Sequence, residues 1–215
     1  VTIELTHFSI VVLAEANNPS ILNPDFLKNN GIVDPSFTPT TVFCTPPVSQ
    51  VAYSEGISIV AEFEKLQFID EQSSRIPKAS PIPDISSRYV RTLPHVKYTA
   101  VGINLSGHRP FETLDAAKSF VMTKFIKPGP WLDVRGQPVA AGVNLVYSLD
   151  NLQRTVNVNP GELRKEQAIP VVSVRYNHNY NLQSPSVDDI NSLIANWPEA
   201  FKYYTDFCEY LFKEK

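Results

Sequence analysis

From Val187 to Leu211 the apolar residues Val187, Ile190, Ile194, Trp197, Phe201, Tyr204, Cys208 and Leu211 recur at alternating spacings of three and four. That period is the signature of an amphipathic helix, here about seven turns long. A stripe of that length must be buried, so the rest of the chain has to supply an apolar surface to receive it. Ser186 and Asp189 stand in a cap-like relation at its start, and Pro198 interrupts it. Proline removes an amide donor and clashes with the preceding turn, which predicts a kink or two abutting helices with the second starting there.

The receiving surface reads as a sheet. Residues 3–15 alternate in their first half and are continuously apolar in their second, as in a central strand covered on both faces. Further strands are expected near Ser49–Tyr53, Ser58–Glu62, Gln67–Ile69, Tyr98–Leu105, Val139–Leu149, Gln153–Val158 and Ala168–Tyr180. Asp84 is placed to cap a helix that Pro94 stops, and Thr113 to Phe125 carries apolar residues at helical spacing. Asn17 to Gln50 contains Pro19, Pro24, Pro35, Pro39, Pro46 and Pro47 and reads as an extended connection around one short helix, capped by Asn23 and ended by Gly31. Strands first, then helix and strand interleaved, then a long helix predict an α+β fold. The expectation is one domain over residues 1–215: a mainly antiparallel twisted sheet of five to seven strands, with the Asp84, Thr113 and Ser186 helices largely on one face. The run Ala100-Val101-Gly102-Ile103-Asn104-Leu105 is echoed by Ala140-Ala141-Gly142-Val143-Asn144-Leu145, which fits either a duplicated strand unit or chance similarity between apolar strands.

Composition narrows the classes of function. The 215 residues include 18 Pro and 8 Gly, about 8% and 4% against typical values near 5% and 7%, which favours stiff connections. Hydrophobic residues are 43% and charged ones 19%, outside the disordered regime. The net charge of -3 and the lack of a basic block argue against nucleic acid as a partner. No run approaches the roughly 20 apolar residues of a membrane span, so no membrane partner is expected. The opening residues do not carry the pattern of a secretory signal, and a cytoplasmic location is expected.

No phosphate loop, dinucleotide fingerprint, HExxH, CxxC or GxSxG occurs in the sequence. No cofactor and no metal are therefore expected; His7, His95, His108 and His178 are far apart in sequence, whereas a metal needs three or four converging ligands. One polar pocket is conceivable where strand ends meet, built from Asn104, His108, Arg109, Asn144 and His178. Cys208 lies on the apolar stripe and reads as core, and Cys44 has no base beside it. The final helix carries more aromatic residues than one sheet can cover. Tyr203, Phe207 and Tyr210, with Trp131 in a loop, are the candidate interface residues, since aromatic side chains are enriched at protein interfaces.

At Asn23-Pro24-Asp25-Phe26-Leu27, Leu93-Pro94-His95-Val96 and Ala100-Val101-Gly102-Ile103-Asn104, the sequence resembles a group of small uncharacterised bacterial proteins, cyanobacterial ones among them. The resemblance covers scattered motifs over about the first half and implies a bacterial cytoplasmic origin; it brings no activity, cofactor or catalytic residue. Together these readings favour a non-catalytic module that forms a homodimer or binds a protein partner. The alternative is an enzyme or small-molecule binder using the polar pocket.

Overall fold

The structure is a computed structural model and describes residues 3–133, 136, 138–164 and 167–213. Among these residues nine strands make one sheet: β1 (Glu4–Ala14), β2 (Pro39–Cys44), β3 (Val48–Tyr53), β4 (Ile57–Glu62), β5 (Lys65–Asp70), β6 (Tyr98–Pro110), β7 (Val143–Leu149), β8 (Leu152–Leu163) and β9 (Ile169–Asn181). Their order is β2-β3-β4-β5-β1-β6-β9-β8-β7, and every neighbouring pair is antiparallel. The helices are α1 (Pro24–Asn29), α2 (Ile82–Thr92), α3 (Leu114–Phe125), α4 (Val187–Ala195) and α5 (Trp197–Phe212). The α+β class and the antiparallel sheet are as expected, but the sheet has nine strands, not five to seven. All eight strand segments read from the sequence join this one sheet, and the ninth strand, which none of them covers, is β2, hidden in the proline-rich stretch. All six of its residues are exposed, so it lacks the buried–exposed alternation that announces a strand.

The strand order is similar on the two sides of the β1–β6 seam, with five strands on one side and four on the other. Each half runs strand, helix, antiparallel meander (four strands, then three), then one helix in the first half and two in the second, and the last meander strand (β5 or β9) returns to pair with the first (β1 or β6). This pattern does not coincide with the forty-residue echo. Asn104 lies on central β6, whereas Asn144 lies on edge strand β7, three positions away across the sheet.

Local chemistry accounts for the helix ends. The Asn23 side chain accepts a hydrogen bond from the Phe26 amide at 2.8 Å, and Gly31, at φ +63, follows the end of α1 in the left-handed region. Thr113 caps α3 in the same way at 3.1 Å. Ser186 and Asp189 form a reciprocal capping box at the start of α4, with the shorter Asp doing the work usually done by Glu. The long stripe divides as Pro198 requires, α4 ending at Ala195 and α5 beginning at Trp197. For α2 the expected Asp84 cap is corrected: the helix starts at Ile82 behind Pro81, because Pro83 fits a first turn and lets the helix reach past it.

The helices pack on one face. Phe26 meets Tyr89 of α2 edge-on at 5.8 Å, Phe8 of β1 meets Trp197 at 5.8 Å, and Phe120 of α3 stacks on Phe212 of α5 at 5.3 Å. Register shows what they cover. One row on this face runs Val42, Val51, Ile59, Phe68, Ile10, Ile103, His178, Arg154, Tyr147, one residue per strand from β2 to β7. Six apolar residues are followed by an imidazole, a guanidinium and a phenol, so the core changes character as it approaches the β7 edge. No described helix is long and apolar enough to cross a membrane.

Candidate functional site

The polar end of that row opens into a groove of about 330 Å³ between α5 and strands β7–β9. Its floor is Val156 of β8 and Tyr176 of β9; its walls are Tyr147 of β7 and the α5 residues Tyr203, Asp206, Phe207 and Tyr210. Sequence dictates this arrangement twice. The period of two on β7 puts Val143, Leu145 and Tyr147 on the helix side, opposite Val158, Val156 and Arg154. On α5, Tyr203, Phe207 and Tyr210 follow i, i+4, i+7 spacing along one flank, while Tyr204, Cys208 and Leu211 on the neighbouring flank are buried. The rim is accessible: Tyr147 is 45%, Tyr203 39% and Tyr210 78% exposed.

Arg154 dominates the electrostatics. Its guanidinium carbon lies 3.6 Å from the Tyr203 ring centroid, a cation–π stack, and its Nη2 is 3.9 Å from Glu199 Oε1. Beside it His178 is fully buried, with Nδ1 2.9 Å from the Tyr176 hydroxyl. Burial, reinforced by the Arg154 charge, pushes the imidazole down to about 4, so it is neutral at pH 7. Burial raises the Tyr176 hydroxyl above its ordinary range, so it too stays neutral. Among the described residues, His178 Nε2 and Arg154 Nε have no hydrogen-bond partner. The groove thus combines aromatic walls, one fixed cation and unspent polar capacity at its base. Such a surface can receive an apolar or aromatic side chain and orient it; the Cys208 thiol, on the buried flank of α5, is raised to about 12 by burial.

The groove adjoins a bare strand edge. β7 is terminal in the sheet, and among the described residues no backbone hydrogen bond reaches it from outside the sheet. Its sequence, Val-Asn-Leu-Val-Tyr-Ser-Leu, contains neither charge nor proline, the two usual guards of a free edge. The opposite edge, β2, begins at Pro39 and slips register between Pro39 and Thr41, which blunts it.

The five residues expected to share a polar pocket are placed apart. Asn104 and His178 face opposite sides of the sheet, since Asn104 pairs with Asn177 and His178 with Ile103. His108 pairs with Ser173, five residues along the ladder from the His178 pair, roughly 17 Å at strand rise. His108 instead meets Glu4, Nε2 to Oε2 at 3.3 Å. Arg109 donates to the Phe212 carbonyl at 3.4 Å and lies over the Phe111 and Phe212 rings. Asn144 is exposed on edge strand β7. Of the interface candidates, Tyr203, Phe207 and Tyr210 come together in the groove. Trp131, 62% exposed, sits in a short helical turn at Pro130–Asp133 and is not part of the lining. Tyr147, Arg154 and Tyr176 were missed by sequence reasoning. Arg154 did leave a signal, as a charge between Leu152 and Val156 on the core-facing period of its strand.

A polar network occupies the other face. His7 Nε2 lies 3.0 Å from Ser9 Oγ, and Glu71 Oε1 lies 3.7 Å from His7 Nδ1. Asn104 donates to Ser9 Oγ at 3.3 Å and accepts from Asn177 at 2.6 Å. The order carboxylate–imidazole–hydroxyl is that of an activated serine, but Ser9 is 0% exposed, so its hydroxyl cannot meet a substrate. No protein-family model matches the chain, and no curated protein matches it.

Proposed function

We propose that this chain is a non-catalytic protein-binding module, and that an extended segment of a partner docks along β7 and sends a side chain into the aromatic groove. The observation that carries this reading is the adjacency of an uncharged seven-residue edge strand, whose outer side is free among the described residues, and an exposed pocket of tyrosines. Strand addition draws affinity from main-chain hydrogen bonds and specificity from pockets that receive alternate side chains. A strand added to β7 places every second residue on the Tyr147 side of the sheet, where the groove opens. The chemistry that fits is an apolar or aromatic side chain against Tyr203 and Tyr210, with a hydrogen-bond acceptor near Arg154.

The test is selection from a random peptide library displayed against the intact chain, repeated on Tyr147→Lys and Tyr210→Glu. Both positions are exposed, so both variants fold. The expected result is enrichment of peptides with alternating apolar residues whose binding falls at least tenfold in each variant. Absence of enrichment, or peptides that bind both variants as well as the original, contradicts the reading.

A further inference from the structure

Among the described residues no helix packs on the sheet face opposite α1–α5, where most side chains are half-buried by one another, and its register sets out an unusual composition. Two adjacent rows cross all nine strands there, one from Thr41 to Val146 and one from Phe43 to Ser148. Neither contains an Asp, Glu, Lys, Arg or His. Charged residues make up 19% of the chain, so two rows of nine would hold roughly three at that rate. The positions are filled by amides such as Gln67, Asn104 and Asn177 and by apolar residues such as Val11, Val60 and Ile69. Charge returns at the margins, with Glu62 and Lys65 at one end of the strands and His7 and Arg175 towards the other. An uncharged centre with a charged rim is the anatomy of a protein interface.

We propose that this face associates with the same face of a second copy, giving a two-sheet homodimer. Two properties select a second copy as the occupant. Amide side chains both donate and accept, so they pair with themselves across a two-fold axis, whereas fixed charges would meet their like. The area also fits. Nine strands about 4.8 Å apart and some 20 Å of strand length give on the order of 800 Å² per partner, the size of a standard stable interface. Sheets packed this way lie about 10 Å apart with strands within about 30° of parallel. The many amides make the contact wet and reversible rather than obligate. This surface is distinct from the β7 groove, which opens on the helix side.

Sedimentation equilibrium of the full chain over a wide concentration range tests the proposal, with Gln67→Lys as the face variant and Tyr210→Glu as the groove control. The expected result is a reversible dimer that Gln67→Lys weakens at least tenfold and Tyr210→Glu leaves unchanged. A nitroxide on Gln67→Cys in a Cys44→Ser background gives a second reading, free of the lysine: a short inter-spin distance is expected in the dimer. A strict monomer, a dimer indifferent to Gln67→Lys but lost in Tyr210→Glu, or the absence of a short distance overturns the proposal. Because the peptide selection reads the groove and sedimentation reads the face, failure of one is distinguishable from failure of the other.

Discussion

His178 shows how one residue reports on the environment of the site. A histidine on the core-facing period of β9 ends up fully buried beside a guanidinium, and both circumstances disfavour its charged form. Its folded value near 4 lies below the unfolded value near 6.5. Below pH 6.5 the unfolded chain takes up a proton that the folded chain refuses, so stability is lost as pH falls from about 6.5 to about 4 and is complete above that window. The loss attributable to this group is on the order of 2 kcal/mol, allowing for partial screening. Urea unfolding of the original and of His178→Gln at pH 7 and pH 4.5 isolates it. The original should lose more stability between the two pH values than the variant; equal losses would show that His178 protonates freely. His7, also lowered mainly by burial, is present in both proteins and cancels. This role was not legible beforehand. Tyr176, His178 and Tyr180 are placed on one face by alternation, but only the β8–β9 register brings Arg154 opposite His178.

Strands and helices were legible in proportion to how much each is buried on one side. β3, β4 and β5 alternate buried and part-buried residues along their lengths and lie within a few residues of expectation. The capped helices α1, α3 and α4 carry their starts in Asn23, Thr113 and Ser186. β2 has no buried side and left no pattern, and β6 runs on to Pro110, through Gly107 and past the expected end at Leu105. The structure supplies the reason for that glycine. A Cβ there would stand 2.6 Å from the Glu4 carbonyl oxygen and 2.7 Å from the Tyr204 hydroxyl. Gly107 therefore lets β6 pass under α5 next to the register slip between Leu5 and His7 of β1. Gly107→Ala is expected to cost about 1–3 kcal/mol through forced backbone movement, read by denaturant unfolding. Gly102→Ala should cost less than about 1 kcal/mol, because its nearest neighbour is the movable Asn179 side chain at 3.4 Å. Equal costs at the two positions would remove the close-approach explanation.

For the molecule as a whole, the decisive features lie in pairing rather than in any local pattern. The sequence contains every residue of the charge-free face, yet no window of it shows a row, because a row takes one residue from each of nine strands. The same holds for the groove: Tyr203, Phe207 and Tyr210 were visible as surplus aromatics on one helix, and Tyr147 and Tyr176 join them only through the sheet. Two surfaces of the fold stand out, an edge with aromatic walls on the helix side and a broad amide-lined face on the other. Backbone hydrogen exchange across β7, with and without a peptide selected on the intact chain, tests the docking claim most directly. Slowed exchange confined to Val143–Leu149 and the facing flank of α5 is the predicted outcome, since an added strand satisfies the outward-pointing amides of β7. Unchanged exchange in β7 under saturating peptide, with protection appearing at another part of the sheet, would contradict it.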